Sequence, residues 1–160
     1  MIKMKWEKGL FSSKYRLLDK DIEIGEFKNP AFNSSSFGTL GETKLKFKAK
    51  GIFSSETEII DLNLDQSIGS IKFNSWGSKA EIRISDKKYI WKYDNFWHSK
   101  WSISENGEQL IRYKSSSSSG EIESMVDNEL LLLCGFYVYN YYITLIIIIS
   151  ASSVIILSGR

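Results

Sequence analysis

The chain has 160 residues, a formal net charge of +2 and 42% hydrophobic side chains, which suits one domain with a sizeable core. So small a net charge excludes the strong overall field expected of a chain that binds nucleic acid by charge alone. A single cysteine excludes an internal disulfide, and with a single histidine it cannot build a tetrahedral zinc site of the usual kind.

The charge is uneven. Residues 1–50 hold eleven Lys and Arg against six acids, and residues 51–128 hold nine against twelve. The amino terminus, Met1 to Lys8, has no apolar run of the secretory type, which with the lone cysteine sets the expectation of a cytoplasmic, reducing setting.

In chain order, apolar residues alternate with polar ones at a period of two, the mark of strands with one buried face. Ile2, Met4 and Trp6 come first, then Tyr15 and Leu17, then Ile22, Ile24 and Phe27. Asn29, Pro30 and the serines at 34 to 36 read as a loop. Lys44 to Lys50 is the clearest strand, with lysines on one face and apolar residues on the other, and Ile59 to Leu62 is a short one. Ile71 and Phe73 lead through a turn at Asn74–Gly77 to Ala80, Ile82 and Ile84. Turns at Asp86–Lys87 and Asp94–Asn95 bracket Tyr89, Trp91 and Tyr93, and Phe96 to Ile103 reads as the next strand. Asn106-Gly107 is the strongest two-residue hairpin signal. Leu110 to Tyr113, a serine-rich loop at 115–120 and Ile122 to Val126 follow. The count is eleven or twelve strands.

Residues Leu130 to Gly159 then contain no charged side chain. About twenty apolar helical residues cross a hydrocarbon core of roughly 30 Å, so a bilayer is one wrapper for this tail and the protein itself is the other. The residues leave open a break near Asn140, and whether the Ile-rich end 143–157 leaves the barrel or enters a membrane. A barrel of about twelve strands is wide enough to hold one helix, since eight strands leave room only for side chains and eleven-stranded cans enclose a helix. The expectation is therefore a single domain over 1–160, mainly β with one α-helix. Residues 1–127 form a closed antiparallel barrel, and 128–158 form a hydrophobic helix whose first half is central. Leu130, Leu131, Leu132, Leu133, Phe136 and Tyr137 would line that central helix.

This order of elements resembles the tubby C-terminal-like superfamily, which includes the phospholipid scramblases and the LURP-one-related proteins. The likeness rests on Ile22-Glu23-Ile24-Gly25, on Ile68 to Phe73 running through Lys79 to Ile84, on Tyr89 to Lys92, on Trp101 to Ile103 and on Asn128 to Tyr137. It implies a closed barrel threaded by a hydrophobic carboxy-terminal helix, and a non-enzymatic, membrane-proximal binding module that contacts anionic phospholipid. The apolar tail is longer than such a helix needs, the palmitoylated cysteine clusters of scramblases are absent, and no phosphoinositide-binding residue maps onto a particular position.

No P-loop, Gly-x-Gly-x-x-Gly or Gly-x-Ser-x-Gly motif is present, so the expectation is no catalytic residue, no cofactor and no metal. His98 reads as a partly packed strand residue and Cys134 as a buried, inert thiol. Asn33-Ser34-Ser35 fits a glycosylation acceptor but reads as a plain loop. Lys44, Lys46, Lys48 and Lys50 set four cations in a row about 7 Å apart, suited to an anionic lipid surface or to keeping an exposed or edge strand soluble. The aromatic run Tyr89, Trp91, Tyr93, Phe96, Trp97 and Trp101 lies beside basic residues, where such rings can stack bases or sit at a lipid interface. In a β protein it reads mainly as core and cross-strand pairs. The competing architecture is a small β domain held in a membrane by residues 130–158 as a transmembrane helix. Nucleic acid is disfavoured as a partner, and no feature identifies a protein partner.

Overall fold

The structure is a computed structural model that describes residues 1–10, 12–30, 35–50 and 55–159. Twelve strands form one closed antiparallel barrel in which each strand pairs with its neighbours in sequence. They are β1 (Ile2–Lys8), β2 (Lys14–Asp19), β3 (Ile22–Lys28), β4 (Ser35–Leu40), β5 (Thr43–Ala49) and β6 (Glu56–Asp61). The second half comprises β7 (Gln66–Phe73), β8 (Lys79–Ile84), β9 (Lys87–Tyr93), β10 (Lys100–Glu105), β11 (Glu108–Ser116) and β12 (Ser119–Ser124). β1 closes the barrel by pairing with β12 from Ile2↔Ser124 to Glu7↔Ser119.

Alternation decides which side chains point inward. In β5, Leu45 and Phe47 are buried while Lys44 and Lys48 face solvent. The same rule buries Trp6, Leu17, Phe27, Ile71, Ile82, Trp91, Trp101 and Ile111. The tight turns carry the expected chemistry. Asn106 and Gly107 both have positive φ (50° and 88°), the two-residue geometry whose twist matches the flanking strands. Register shifts occur at Leu17/Leu18, Ile59/Ile60 and Ile103/Ser104. Such bulges sharpen the local twist and help a sheet bend round to close.

Several boundaries differ from those read in the sequence. Ser35 and Ser36 belong to β4 because each pairs across to β5, and Ser36 is buried, so these serines are strand rather than loop. The serine-rich segment after Tyr113 is mostly ladder too: Ser115 pairs with Gly120 and Ser116 with Ser119, leaving a two-residue turn. Phe96, Trp97 and His98 form a turn instead of the start of a strand. The acceptor pattern at Asn33 falls outside the described residues.

The helix α1 runs unbroken from Glu129 to Ser158. Asn128 caps it, its side-chain oxygen accepting from the Leu131 amide at 2.9 Å. Thr43 donates to Glu129 at 2.7 Å, which ties the helix start to the β4–β5 turn. Its first half fills the lumen: residues 131 to 140 and Tyr142 are buried, and Leu130 is half-buried. Tyrosines project from it onto wall aromatics. Tyr137 stacks on Phe47 at 4.5 Å, Tyr139 on Trp101 at 3.9 Å and Tyr141 on Phe73 at 3.7 Å. Their hydroxyls find partners, with Tyr137 within 2.6 Å of the Thr57 hydroxyl and Tyr139 donating to Ser115 at 3.4 Å. Asn140, buried in the middle of the tail, donates to the Phe136 carbonyl one turn back at 2.9 Å and so keeps the helix intact. Burial pushes the Cys134 thiol well above its usual range, as suits an inert side chain.

Gly135 is where wall and helix come closest. The Tyr113 hydroxyl donates to the Leu132 carbonyl at 2.9 Å, and the Trp91 indole donates to the Gly135 carbonyl at 3.2 Å. A Cβ on Gly135 would lie 2.2 Å from the Tyr113 hydroxyl oxygen. Tyr113 is buried and cannot swing aside. Gly135→Ala should therefore cost about 1–3 kcal/mol by overpacking, read as a lower urea midpoint in mild detergent, and adding Tyr113→Phe should recover part of that loss.

Candidate membrane-contacting end

Because consecutive strands alternate in direction, the turns fall at two ends of the barrel. The helix enters at the end that holds the β4–β5 turn, where Glu129 meets Thr43. It leaves at the other end. There Asn29, after β3, donates to Thr144 at 3.4 Å, and Tyr142 donates to the Lys79 carbonyl at the start of β8.

Beyond this rim the helix continues, and most of its residues from Ile146 onward are exposed. Seven large aliphatic side chains from Ile146 to Leu157 are exposed, Ile155 by 70% and Leu157 by 75%. At about 1.5–3 kcal/mol for each fully buried aliphatic side chain, moving these out of water is worth on the order of 10–20 kcal/mol. Residues 143–157 extend about 22 Å at the helical rise, most of the depth of a hydrocarbon core. Two serine hydroxyls of this half bond back within the helix. Ser152 donates to the Ile148 carbonyl and Ser153 to the Ile149 carbonyl, both at 2.9 Å. By length and composition the helix can cross a membrane, although its first half is enclosed in protein.

Two connections at the exit end share a construction absent from the sequence reading. Asn74-Ser-Trp-Gly-Ser-Lys79, between β7 and β8, and Asn95-Phe-Trp-His-Ser-Lys100, between β9 and β10, repeat the pattern Asn-x-Trp-x-Ser-Lys. In the first, the Asn74 side-chain oxygen accepts from the amides of Ser78 and Lys79 at 3.1 and 3.2 Å. In the second, the Asn95 oxygen accepts from Ser99 and Lys100 at 3.1 and 3.0 Å. Each asparagine also donates to the serine hydroxyl, and the residue after each tryptophan has positive φ (Gly77 65°, His98 56°). The result is two pinned loops with the indole held out in water. Trp76 is 89% exposed and Trp97 82%, with Phe96 beside the latter. Asn74 also accepts from the Tyr142 hydroxyl at 3.2 Å, which couples the first loop to the helix.

The aromatic run read as core therefore divides. Tyr89, Trp91 and Trp101 are buried, and Phe96 and Trp97 stand in solvent because they fall in the turn. His98, expected as a packed strand residue, is an exposed turn residue stacked on Tyr93 at 4.0 Å.

The lysine row climbs the outer wall along β5, from Lys44 near the entry end through Lys46 and Lys48, with Lys50 just past the strand at the exit end. β5 is paired on both sides, so these lysines guard no sheet edge. Lys46 lies over the Phe37 ring at 6.0 Å, Lys48 faces Glu58 across the ladder, and Lys50 pairs with Glu56 at 3.5 Å. The four do not converge on one point. Leu131, Leu132, Leu133, Phe136 and Tyr137 are all in the lumen.

No family model, curated protein or solved structure matches the chain. Asn95→Ala would leave the Ser99 and Lys100 amides without their acceptor, costing about 1 kcal/mol. The anisotropy decay of Trp97 should show a faster, wider motion in that variant.

Proposed function

We propose that this protein is a non-enzymatic barrel module held on a lipid bilayer by the outer half of the helix that fills its own lumen. The observation that carries the reading is the division of α1 near Ile143, with one half enclosed by the barrel and the other exposed and aliphatic. A helix apolar on every face needs an apolar surrounding along its whole length, and the barrel surrounds only half of it. Lipid fits the remainder, because its exposed side chains are mostly aliphatic and two of its serines, Ser152 and Ser153, donate back within the helix.

On this reading the two architectures suggested by the sequence are one. The helix is both the plug of the barrel and its anchor. The resemblance to the tubby-like superfamily is supported by the twelve-strand closure and the threaded helix. Contact with phospholipid is supported by the direction in which the helix leaves.

Truncation separates plug from anchor. A chain ending after Thr144 keeps every lumen contact and should be folded and soluble without detergent, with a cooperative melt. A chain ending after Asp127 loses the filling of the barrel and should be unfolded or aggregated. The full chain should float with phospholipid vesicles in a density gradient while the chain ending at Thr144 stays behind. Equal flotation of the two would overturn the anchor.

A further inference from the structure

The exit end carries a second signal besides the helix. Three cross-strand partners there are lysine facing lysine: Lys14↔Lys28, Lys79↔Lys92 and Lys100↔Lys114. Directly opposed like charges on a sheet face repel and lower stability. The first pair is relieved, since Glu26 meets Lys14 at 2.6 Å and Lys28 at 2.8 Å, and these contacts hold its carboxyl below the usual range. The other two pairs lie on the consecutive strands β8 to β11. Of these four lysines Lys92 has Asp94 at 3.9 Å and Lys114 faces Glu121 across the ladder, and no ion pair among the described residues involves Lys79, Lys100 or Lys114. The turns at the opposite end are acidic, with Asp21, Glu42, Asp65, Asp86, Glu108 and Asp127 outnumbering Lys20 and Lys87.

Lys79 and Lys100 are the closing residues of the two Asn-x-Trp-x-Ser-Lys loops. Each loop thus offers an exposed indole followed by a lysine whose cross-strand partner is a second lysine. Indoles favour the boundary between headgroups and acyl chains, and lysines gain from a negative surface beside it. The twin loops flank the point where an aliphatic helix leaves the barrel, so all three features face one way.

The geometry points to a docking surface for a negatively charged phospholipid leaflet, formed by Trp76, Phe96 and Trp97 with Lys79, Lys92, Lys100 and Lys114. It rests on the membrane-anchor reading and adds to it the charge of the leaflet and the side of the rim that meets it. The helix supplies attachment. The loops hold the barrel end-on against the headgroups, with the β8–β11 side seated and the acidic end facing away. The pinned asparagine–serine hydrogen bonds keep the indoles extended before contact, so little ordering is lost on docking.

The test uses the full chain on vesicles of neutral phosphatidylcholine, or of the same lipid with about a third phosphatidylglycerol. Lipids brominated near the glycerol quench indoles that touch the interface. Trp6, Trp91 and Trp101 are buried in the barrel, which leaves Trp76 and Trp97 as the reporters. On anionic vesicles the wild-type chain should be strongly quenched, and Trp76→Phe/Trp97→Phe should lose more than half of that quenching. On neutral vesicles, or in high salt, the wild-type quenching should fall to less than about half. Lys79→Gln/Lys92→Gln/Lys100→Gln/Lys114→Gln should float as before but lose the dependence on anionic lipid. A full chain that floats with its indoles unquenched overturns the docking surface and leaves the anchor standing. Equal quenching on neutral and anionic vesicles overturns the charge recognition. A full chain that does not float, and instead pairs with a second copy through its helix, overturns both.

Discussion

The structure depends on a match of widths. Twelve strands enclose more space than their own inward side chains can fill, and one α-helix with its side chains occupies that space. Neither part is complete without the other. The strands would surround a void or collapse, and the helix would leave leucines and tyrosines in water. The contacts that set the match are specific as well as apolar. The Tyr113 hydroxyl and the Trp91 indole hold the carbonyls of Leu132 and Gly135, and the bare Cα of Gly135 lets the wall approach that closely.

The same helix then outruns its enclosure. Its composition shifts where the surroundings change: after the opening leucines, mostly aromatic and polar-tipped residues from Phe136 to Tyr142, then mostly aliphatics and small serines from Ile143 onward. The tyrosines suit a lumen in which hydroxyls can reach Thr57, Ser115 and the Lys79 carbonyl. The isoleucines suit hydrocarbon, where no such partners exist. The cluster of tyrosines around Asn140, read alone, resembles an interfacial belt, and in the fold it is a packed interior.

Much of this was legible in the chain. Period-two alternation marks the strands because the inner wall must be apolar at every second position, and the uncharged tail marks the helix that fills it. What was not legible depended on neighbours outside the local window. Ser35 and Ser36 carry no apolar signal, and only their partners on β5 make them a strand. Phe96 and Trp97 look like core by composition, and only the turn geometry at Asn95 and His98 turns them outward. The lysines of β5 are visible as a row, yet the charge pattern of the exit end depends on cross-strand partners such as Lys100 and Lys114, which are distant in sequence. The twin Asn-x-Trp-x-Ser-Lys segments were in plain view. Taking the first as a turn at Asn74–Gly77 and the second as a turn at Asp94–Asn95 followed by a strand from Phe96 hid their likeness.

The unbroken course of α1 through Asn140 has a mechanical consequence. A helix with a flexible joint at the rim would let the barrel swing independently of the outer segment. Here the backbone ladder continues from lumen to exterior, and the Asn140 amide folds back on its own turn without opening it. Tilting the outer segment therefore applies torque to the barrel through Tyr142 and its hold on Asn74 and Lys79. The angle at which the barrel stands is geared to the angle of a single rod.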